Sequence, residues 1–513
     1  MKNREFFWLF LVSLIILIVF TSLPYYIAEQ SAGEDYVFGG FLMNPLDGNS
    51  YLAKMYQGYQ GDWKYTLPYT AELSEGAFIF EFYLFLGHIA RITGSSLGAL
   101  FHIVRMICAV IMLVALYHFI KVAVPDMAAR PLAFILAVFG SGLGWVALLA
   151  GKVTSDFWVA EAYPFLSAFS NPHFSLGIGL TLILISPIVN WRKSLFQREW
   201  ATPFLVFTLA IVYPFGVILV LILLGLMVFW EQYLRADRSL PRVYPWRFIF
   251  ILIFGAPVLF YYLWAIFTDP MFSAWNSQNI TPSPGIIDFI VSFSPIILFV
   301  MPALVMLLKQ KLGNDRVIVF WFVVGTILLF FPWNLQRRFI YGLYIPIVIV
   351  GVMGIYSMLK NKRSLRRIGI ALIVLSLPTN IIMLFSAGQG IVTLNESIYI
   401  HKDEERAFIW ISNNTPENSV IIAAPDTGLF IPARTGRRVI YGHPFETISA
   451  MTQKDKLERF YRGDLSIENI SPLLQGDYLF YGPREKELGN YTIPEGLELV
   501  FERGEVQVFR VKR

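Results

Sequence analysis

Charge is scarce in this chain and cysteine is nearly absent. Of 513 residues only 15% are Asp, Glu, Lys or Arg, while 56% are hydrophobic. That balance belongs to chains dissolved in lipid. The net charge of +5 is therefore read by location, because Lys and Arg mark the cytoplasmic side of membrane proteins, and nucleic acid is excluded as the default partner. The lone Cys108 lies inside an apolar run, so neither a disulfide framework nor a cysteine metal cluster is available. The chain also lacks an internal repeat, a glycine-rich phosphate loop in its polar C-terminal stretch, and any HxxxH-type ligand spacing.

What is present is a series of long apolar runs. The first, Phe6 to about Ala28, follows a basic flank, approaches the ~20 residues a spanning helix needs, and has no small-x-small cleavage site before Pro24-Tyr25-Tyr26. It reads as an uncleaved first span with its amino end in the cytoplasm. Residues 97–122, 132–150, 174–189, 203–212, 215–233, 248–267, 286–308, 317–331, 339–359 and 368–385 follow, giving about eleven spans, two of them short and broken near Tyr213-Pro214. Between the first two lies a polar loop, 29–76. In it Tyr51, Met55, Tyr56 and Tyr59 fall at helical spacing with Lys54 opposite, which predicts a short helix lying in the membrane interface. Residues 77–92 are apolar but short and hold Glu81 and His88, a second interfacial or re-entrant helix.

Orientation follows from the basic loops. If 77–92 does not cross, one side collects Lys121 and Arg130; Arg192, Lys193 and Arg198; Arg235, Arg238, Arg242 and Arg247; Lys309, Lys311 and Arg316; and Lys360, Lys362, Arg363, Arg366 and Arg367. The outer loops 151–171, 268–285 and 332–338 keep only Lys152 and the pair Arg337-Arg338. This is the asymmetry of the positive-inside rule, and letting 77–92 cross would invert it. From about Asn395 the composition becomes that of a soluble domain. Helices are expected at 403–413 and 454–461, strands at 419–424, 438–441 and 477–482, and a terminal hairpin at 497–502 and 505–511. The expected fold class is thus a polytopic α-helical membrane protein, residues 1–394, carrying an extracytoplasmic α/β domain, residues 395–513.

Several polar residues on the outer side can carry chemistry. Asp47, in Asn44-Pro-Leu-Asp-Gly-Asn-Ser-Tyr51, reads either as a general base that activates an acceptor or as an Asx-turn residue, since Asp-Gly after proline is a turn signal. The second outer loop holds Asp156, Glu161, Asn171 and His173 among aromatics, a plausible cleft lining. With Asp47 these acids and His173 are candidate ligands for a divalent cation. The alternative for His173 is an ordinary helix-start residue after Pro172. Arg337 and Arg338 break the charge rule the other loops obey. A phosphate group matches their guanidinium forks, and headgroup snorkelling is the alternative. His102 and Arg105 lie one turn apart near the outer end of their helix, where ionisable groups face a cavity or a partner such as Glu81.

This arrangement resembles the GT-C class of membrane glycosyltransferases, which includes protein O-mannosyltransferases, aminoarabinose transferases and oligosaccharyltransferases. The resemblance rests on Asp47 with Tyr51 in the first outer loop, the interfacial helices, Gly94 and the helix entry His102-Ile-Val-Arg105, Asn171-Pro172-His173, Arg337-Arg338 and the C-terminal domain. It departs in having Asp-Gly-Asn-Ser-Tyr instead of Asp-Glu, and no Lys-Pro-Pro-Leu or His-Pro-Pro-Leu element opens the interfacial helix at Ala77.

The resemblance implies an enzyme that takes a sugar from a polyprenyl-phosphate donor and passes it to a lipid, glycan or protein acceptor outside the cytoplasm. Asp47 would be base; Glu161 or Asp156 would orient the acceptor or bind a metal. His173, Asn171 and Tyr51 would contact substrate, and Arg337, Arg338, Arg105 and His102 would serve the lipid phosphate. It places the chain in the plasma membrane of a bacterium or archaeon, with a divalent cation as an optional cofactor. Two rivals stand beside it. A transporter or flippase would put broken helices and ionisable groups near the midplane, whereas here they gather at the outer face. A sensor would act through its external domain alone.

Overall fold

Apolar segments in lipid become helices because only a helix satisfies its own backbone groups there, and all eleven expected runs are helical in a computed structural model of the chain. The structure describes residues 3–189, 199–230, 233, 245–309, 316–359, 361–465, 477–489 and 497–511. Arg192, Lys193, Arg198, Arg235, Arg238, Arg242, Lys311 and Lys360, on which the orientation argument leans, lie outside the described residues. Among the described residues six helices are long and apolar enough to cross a bilayer, or seven if the bent pair Ile286–Phe293 and Ile296–Val305 is one span. Thr202–Val212, Pro214–Phe229, Arg316–Phe330 and Tyr344–Met358 are shorter. At ~1.5 Å per residue the eleven residues of Thr202–Val212 reach about half of a ~30 Å hydrocarbon core. By length and composition the described helices thus account for six or seven of the eleven expected crossings.

The chain divides into two compact units, the first made of residues 1–23, 102–260 and 281–387 and the second of 24–101, 261–280 and 388–513. The division follows contacts and not chain order, so the first polar loop and the C-terminal residues share a unit. In the first unit Pro172–Val189 is the central helix, with 89% of its apolar window buried; the corresponding share for Asn3–Ser31 is 28% and for Trp246–Thr268 17%, as befits helices whose outer faces meet lipid. The expected span at 132–150 is two helices, Arg130–Phe139 and Gly144–Leu148, separated at Gly140 to Leu143.

The second unit is built on two helices. Pro45–Gln60 starts six residues before the expected helical pattern, because Asn44 in the left-handed region (φ 49°) caps it, Pro45 occupies its first turn and Asp47 complements its positive end. Asp47 is thus a helix residue; the Pro-Leu-Asp-Gly signal that reads as a turn also fits a helix start. The second helix, Glu81–Thr93, packs against it so closely that glycine is required on both sides. A Cβ on Gly58 would strike the Leu84 carbonyl, and one on Gly87 would strike that of Met55.

The strands form two sheets. Strand β1 (Tyr36–Phe38) pairs antiparallel with β2 (Tyr399–His401), tying the first loop to the start of the C-terminal segment. Strands β3 (Val420–Ile422), β4 (Arg438–Val439), β5 (Tyr478–Tyr481), β6 (Leu497–Arg503) and β7 (Val506–Val511) make a five-stranded sheet in the order β4-β3-β5-β7-β6. Its first three strands are parallel and its terminal hairpin antiparallel. Val420, Ile422, Leu457, Phe460, Tyr461, Leu479 and Phe509 pack as its core. The expected strands, hairpin and helices at Lys402–Asn414 and Ala450–Tyr461 are present. Pro425–Thr435 is an additional helix whose Pro-Asp-Thr-Gly opening and internal Pro432 hide it in the sequence. In doubly wound sheets ligands enter the crevice beyond the carboxyl ends of neighbouring parallel strands. At the ends of β3 and β5 that position is filled by Glu485, which accepts from the backbone N–H of Ala424 (2.9 Å) and of Gly482 (3.0 Å).

The packing gives a direct test. Gly87→Ala is expected to destabilise by about 1–3 kcal/mol through overpacking. Gly98→Ala, with open space around its Cβ, should lie within about 1 kcal/mol of the parent. Thermal unfolding in detergent, with near-equal values for both variants counting against close helix contact, decides it.

Candidate active site

In the second unit one face of the first-loop helix carries the polar chemistry. Asp47, Ser50 and Lys54 stand at i, i+3 and i+7, so they line one side. Facing them is the stretch Gly442 to Thr447, which folds on itself. The Thr447 hydroxyl accepts from the N–H groups of Gly442 and His443 (both 3.3 Å), and the Thr447 N–H donates to the His443 carbonyl (2.9 Å). This turn directs His443 and Glu446 at the helix. His443 Nε2 lies 3.4 Å from Asp47 Oδ1, with the imidazole 3% exposed and the carboxylate 39%. The other carboxylate oxygen accepts from Asn44 Nδ2 at 2.5 Å.

Two turns along, Lys54 is not on the solvent face its spacing suggests. It is fully buried, its Nζ 2.6 Å from Glu446 Oε1, and it sits over the rings of Phe80 (4.6 Å), Tyr65 (5.1 Å) and Tyr51 (5.4 Å). The aromatic pattern that predicted an amphipathic helix is real, but a cation can lie among aromatics when a carboxylate meets it. Ser50 donates to Glu446 Oε1 and Tyr65 to Oε2 (3.0 Å). Burial alone would push the Glu446 carboxyl up, but the Lys54 ammonium and the hydrogen bonds from Lys54 and Ser50 outweigh it and hold it below the ordinary carboxylate range. Tyr51 stacks on Tyr83, ring centroids 4.3 Å apart.

The first unit gathers a second set. The short helix Gln336–Ile340 is pinned by Arg337 N–H to the Thr281 carbonyl (3.3 Å) and Thr281 N–H to the Asn334 carbonyl (2.7 Å). Arg338 Nη1 reaches Glu161 Oε1 at 3.5 Å, and the Arg337 guanidinium lies 4.8 Å over the Trp158 ring. Tyr213 donates to the Arg338 carbonyl (3.0 Å) and stacks on Tyr341 (4.1 Å). His173, second residue of Pro172–Val189 as a helix-start position requires, faces Tyr213 at 6.4 Å, and buried Asn171 directly precedes that helix. Glu161, His173, Arg337 and Arg338 are thereby linked through Tyr213. Asp156 has a different setting. It accepts from the N–H groups of Gly142 (3.1 Å) and Gly144 (3.0 Å) and from the hydroxyls of Thr154 (2.6 Å) and Thr379 (3.0 Å). Its surroundings stitch the loop at residues 140–144. Buried Arg105 donates to His102 Nδ1 (3.3 Å) and to the Ala168 carbonyl (2.6 Å).

No family model matches this sequence, and neither does any curated protein. Solved structures do. An oligosaccharyltransferase from Archaeoglobus fulgidus, crystallised tethered to an acceptor peptide containing the NVT sequon, is 13% identical, with a TM-score of 0.56 over 93% of this chain and 69% of that one. The archaeal oligosaccharyltransferase AglB of the same organism, in complex with an inhibitory peptide and a dolichol-phosphate, is 13% identical with a TM-score of 0.54, covering 93% and 69%. The chain has the GT-C fold. The mycobacterial arabinofuranosyltransferase AftD is likewise similar, 13% identical at a TM-score of 0.50, all of this chain aligning with 42% of that one.

The outer-loop residue types made Asp47, Asp156, Glu161 and His173 candidate ligands for a divalent cation. Among the described residues no three His, Cys, Asp or Glu side chains gather as a metal site needs, and the chemistry proposed for this chain is assigned to its own side chains. Sequence reasoning missed Lys54 as a buried group, and missed His443, Glu446 and Tyr213 as site residues. The signal for two of them was there: Gly-His-Pro-Phe-Glu-Thr, 442–447, is a turn-rich stretch just after a buried strand, with His and Glu three apart.

Removing one partner of a buried ion pair strands the other, so Lys54→Met is expected to cost about 3–5 kcal/mol, and Lys54→Met combined with Glu446→Gln to recover part of it. Because the Glu446 carboxyl is held low, the stability it confers is complete above the unfolded carboxyl value of about 4.3 and is lost as pH falls through its lower folded value. Thermal unfolding against pH should lose that acid-side slope in Glu446→Gln; an unchanged slope would remove Glu446 as its source.

Proposed function

We propose that this chain is a glycosyltransferase that moves a sugar from a polyprenyl-phosphate donor to an acceptor hydroxyl on the extracytoplasmic side of the membrane. The observation that carries the reading is that, within a GT-C fold, a first-loop carboxylate accepts from Asn44 on Oδ2 and has His443 Nε2 3.4 Å from Oδ1, a setting suited to a general base. Asp47 takes the acceptor proton as the acceptor oxygen bonds to the sugar carbon. The bond from that carbon to the phosphate oxygen breaks, and the electron pair leaves on the lipid phosphate. Arg337 and Arg338 stabilise that developing charge, where fixed positive groups lower the barrier most.

Glu161 aims Arg338, Trp158 supports Arg337, and His173 with Asn171 contacts the sugar or its phosphate. Arg105 and His102 brace the second outer loop at Ala168, and Asp156 keeps that loop's neighbours in place. Tyr51 shapes the surroundings of Lys54 by stacking on Tyr83. The dolichol-phosphate bound to AglB supports a polyprenyl-phosphate donor, and the basic loops support a cytoplasmic amino terminus with the C-terminal sheet outside.

Asp47→Asn keeps the shape of the side chain and removes the base, so turnover should fall about 10²–10⁴-fold with expression unchanged. Arg338→Ala is expected to lower turnover about 10²–10³-fold. Transfer from synthetic polyprenyl-phosphate sugars in proteoliposomes measures both, and near-normal turnover by Asp47→Asn ends the base assignment. Mass spectrometry of lipid co-purifying with the protein should find a polyprenyl phosphate or its glycoside. Accumulation of substrate in sealed vesicles without bond cleavage would favour a transporter instead.

A further inference from the structure

We infer that His443 is a positioning residue for Asp47, acting as a neutral imidazole that presents Nε2–H to the carboxylate and does not itself carry the acceptor proton; this rests on the reading of Asp47 as the base. The backbone dictates the tautomer. His443 Nδ1 accepts from the N–H of Phe445 at 3.1 Å, so the ring proton of the neutral form sits on Nε2, the nitrogen 3.4 Å from Asp47 Oδ1. Protonating Nδ1 would set two N–H groups against each other in a site where the ring is almost wholly buried.

The ring is also held mechanically. Thr447 closes the turn around it through its hydroxyl and N–H, and the Tyr69 ring lies 5.8 Å away. Three residues on, Glu446 grips Ser50 and Lys54. A His-x-x-Glu turn therefore meets Asp47, Ser50 and Lys54 on one helix face at two points, and the second fixes the register of the first. Oδ2 is held by Asn44 and Oδ1 faces the His443 ring at 3.4 Å, so the carboxylate has a polar neighbour on either side before an acceptor arrives.

The test uses the full-length protein. With isotope-labelled histidine, and His443 assigned by its disappearance in His443→Gln, magnetic resonance should find the neutral, Nε2-protonated ring; an Nδ1-protonated ring or an imidazolium overturns the proposal without reference to any activity. In transfer assays His443→Phe fills the space without a donor and should lower kcat about 10- to 100-fold, with KM within about twofold. His443→Gln restores an N–H near the Nε2 position and should recover most of that loss. A His443→Phe enzyme with unchanged kcat removes the positioning role, and a His443→Gln enzyme as slow as His443→Phe makes the imidazole a proton carrier. Asp47→Asn, assayed in parallel, separates the two failures, because its retained turnover defeats the base reading whatever the histidine variants do.

Discussion

A lysine with no access to water is tolerable only when a carboxylate meets it, and Lys54 with Glu446 is such a pair. Separately, each charge would face a desolvation penalty of several kcal/mol. Together, ringed by Phe80, Tyr65 and Tyr51, they lock a helix near the start of the chain to a turn near its end. The register of Pro45–Gln60 against residues 442–447 follows. Sliding the helix by one residue would carry Lys54 away from Glu446 and Asp47 away from His443. The close approach of Glu81–Thr93, possible because Gly58 and Gly87 have no Cβ, brings Phe80 and Tyr83 into the same setting. The polar network is thus a consequence of packing as much as of charge.

In the first unit an electrostatic exception is absorbed in another way. Two adjacent arginines within one short helix repel each other unless their charge is directed. Glu161 takes one and the Trp158 face takes the other, while the short helix they occupy is tied down through Thr281 and Asn334. Such an arrangement leaves guanidinium groups preorganised, which matters for an anion whose charge grows during a reaction, since no reorganisation is then needed. Asp156 illustrates the contrast. A carboxylate given to two backbone N–H groups and two hydroxyls is well suited to shaping a loop, and Gly144 can approach it because a side chain there would collide with its oxygens.

The membrane character, the helical runs and the alternation of the C-terminal strands and helices were legible in the sequence. The reason is that they depend on local quantities: hydropathy over ~20 residues, period-2 alternation, and charge counted loop by loop. Asp47, Glu161, Arg337 and Arg338 stood out because a charged residue in an oily chain is costly and conspicuous. Helix starts were ambiguous, since Pro-Leu-Asp-Gly and Pro-Asp-Thr-Gly suit a turn and a helix equally until burial chooses.

Tertiary structure alone decided which polar groups meet. Nothing local in Tyr51 to Tyr59 says that Lys54 is buried, because its partner Glu446 lies 392 residues away. The same holds for His443 and Asp47, and for Arg338 and Glu161. Helical periodicity specifies which residues share a face, but which distant segment covers that face is set by the packing of the whole unit. Asp47 became an oriented carboxylate through a histidine that no pattern in its own neighbourhood announces.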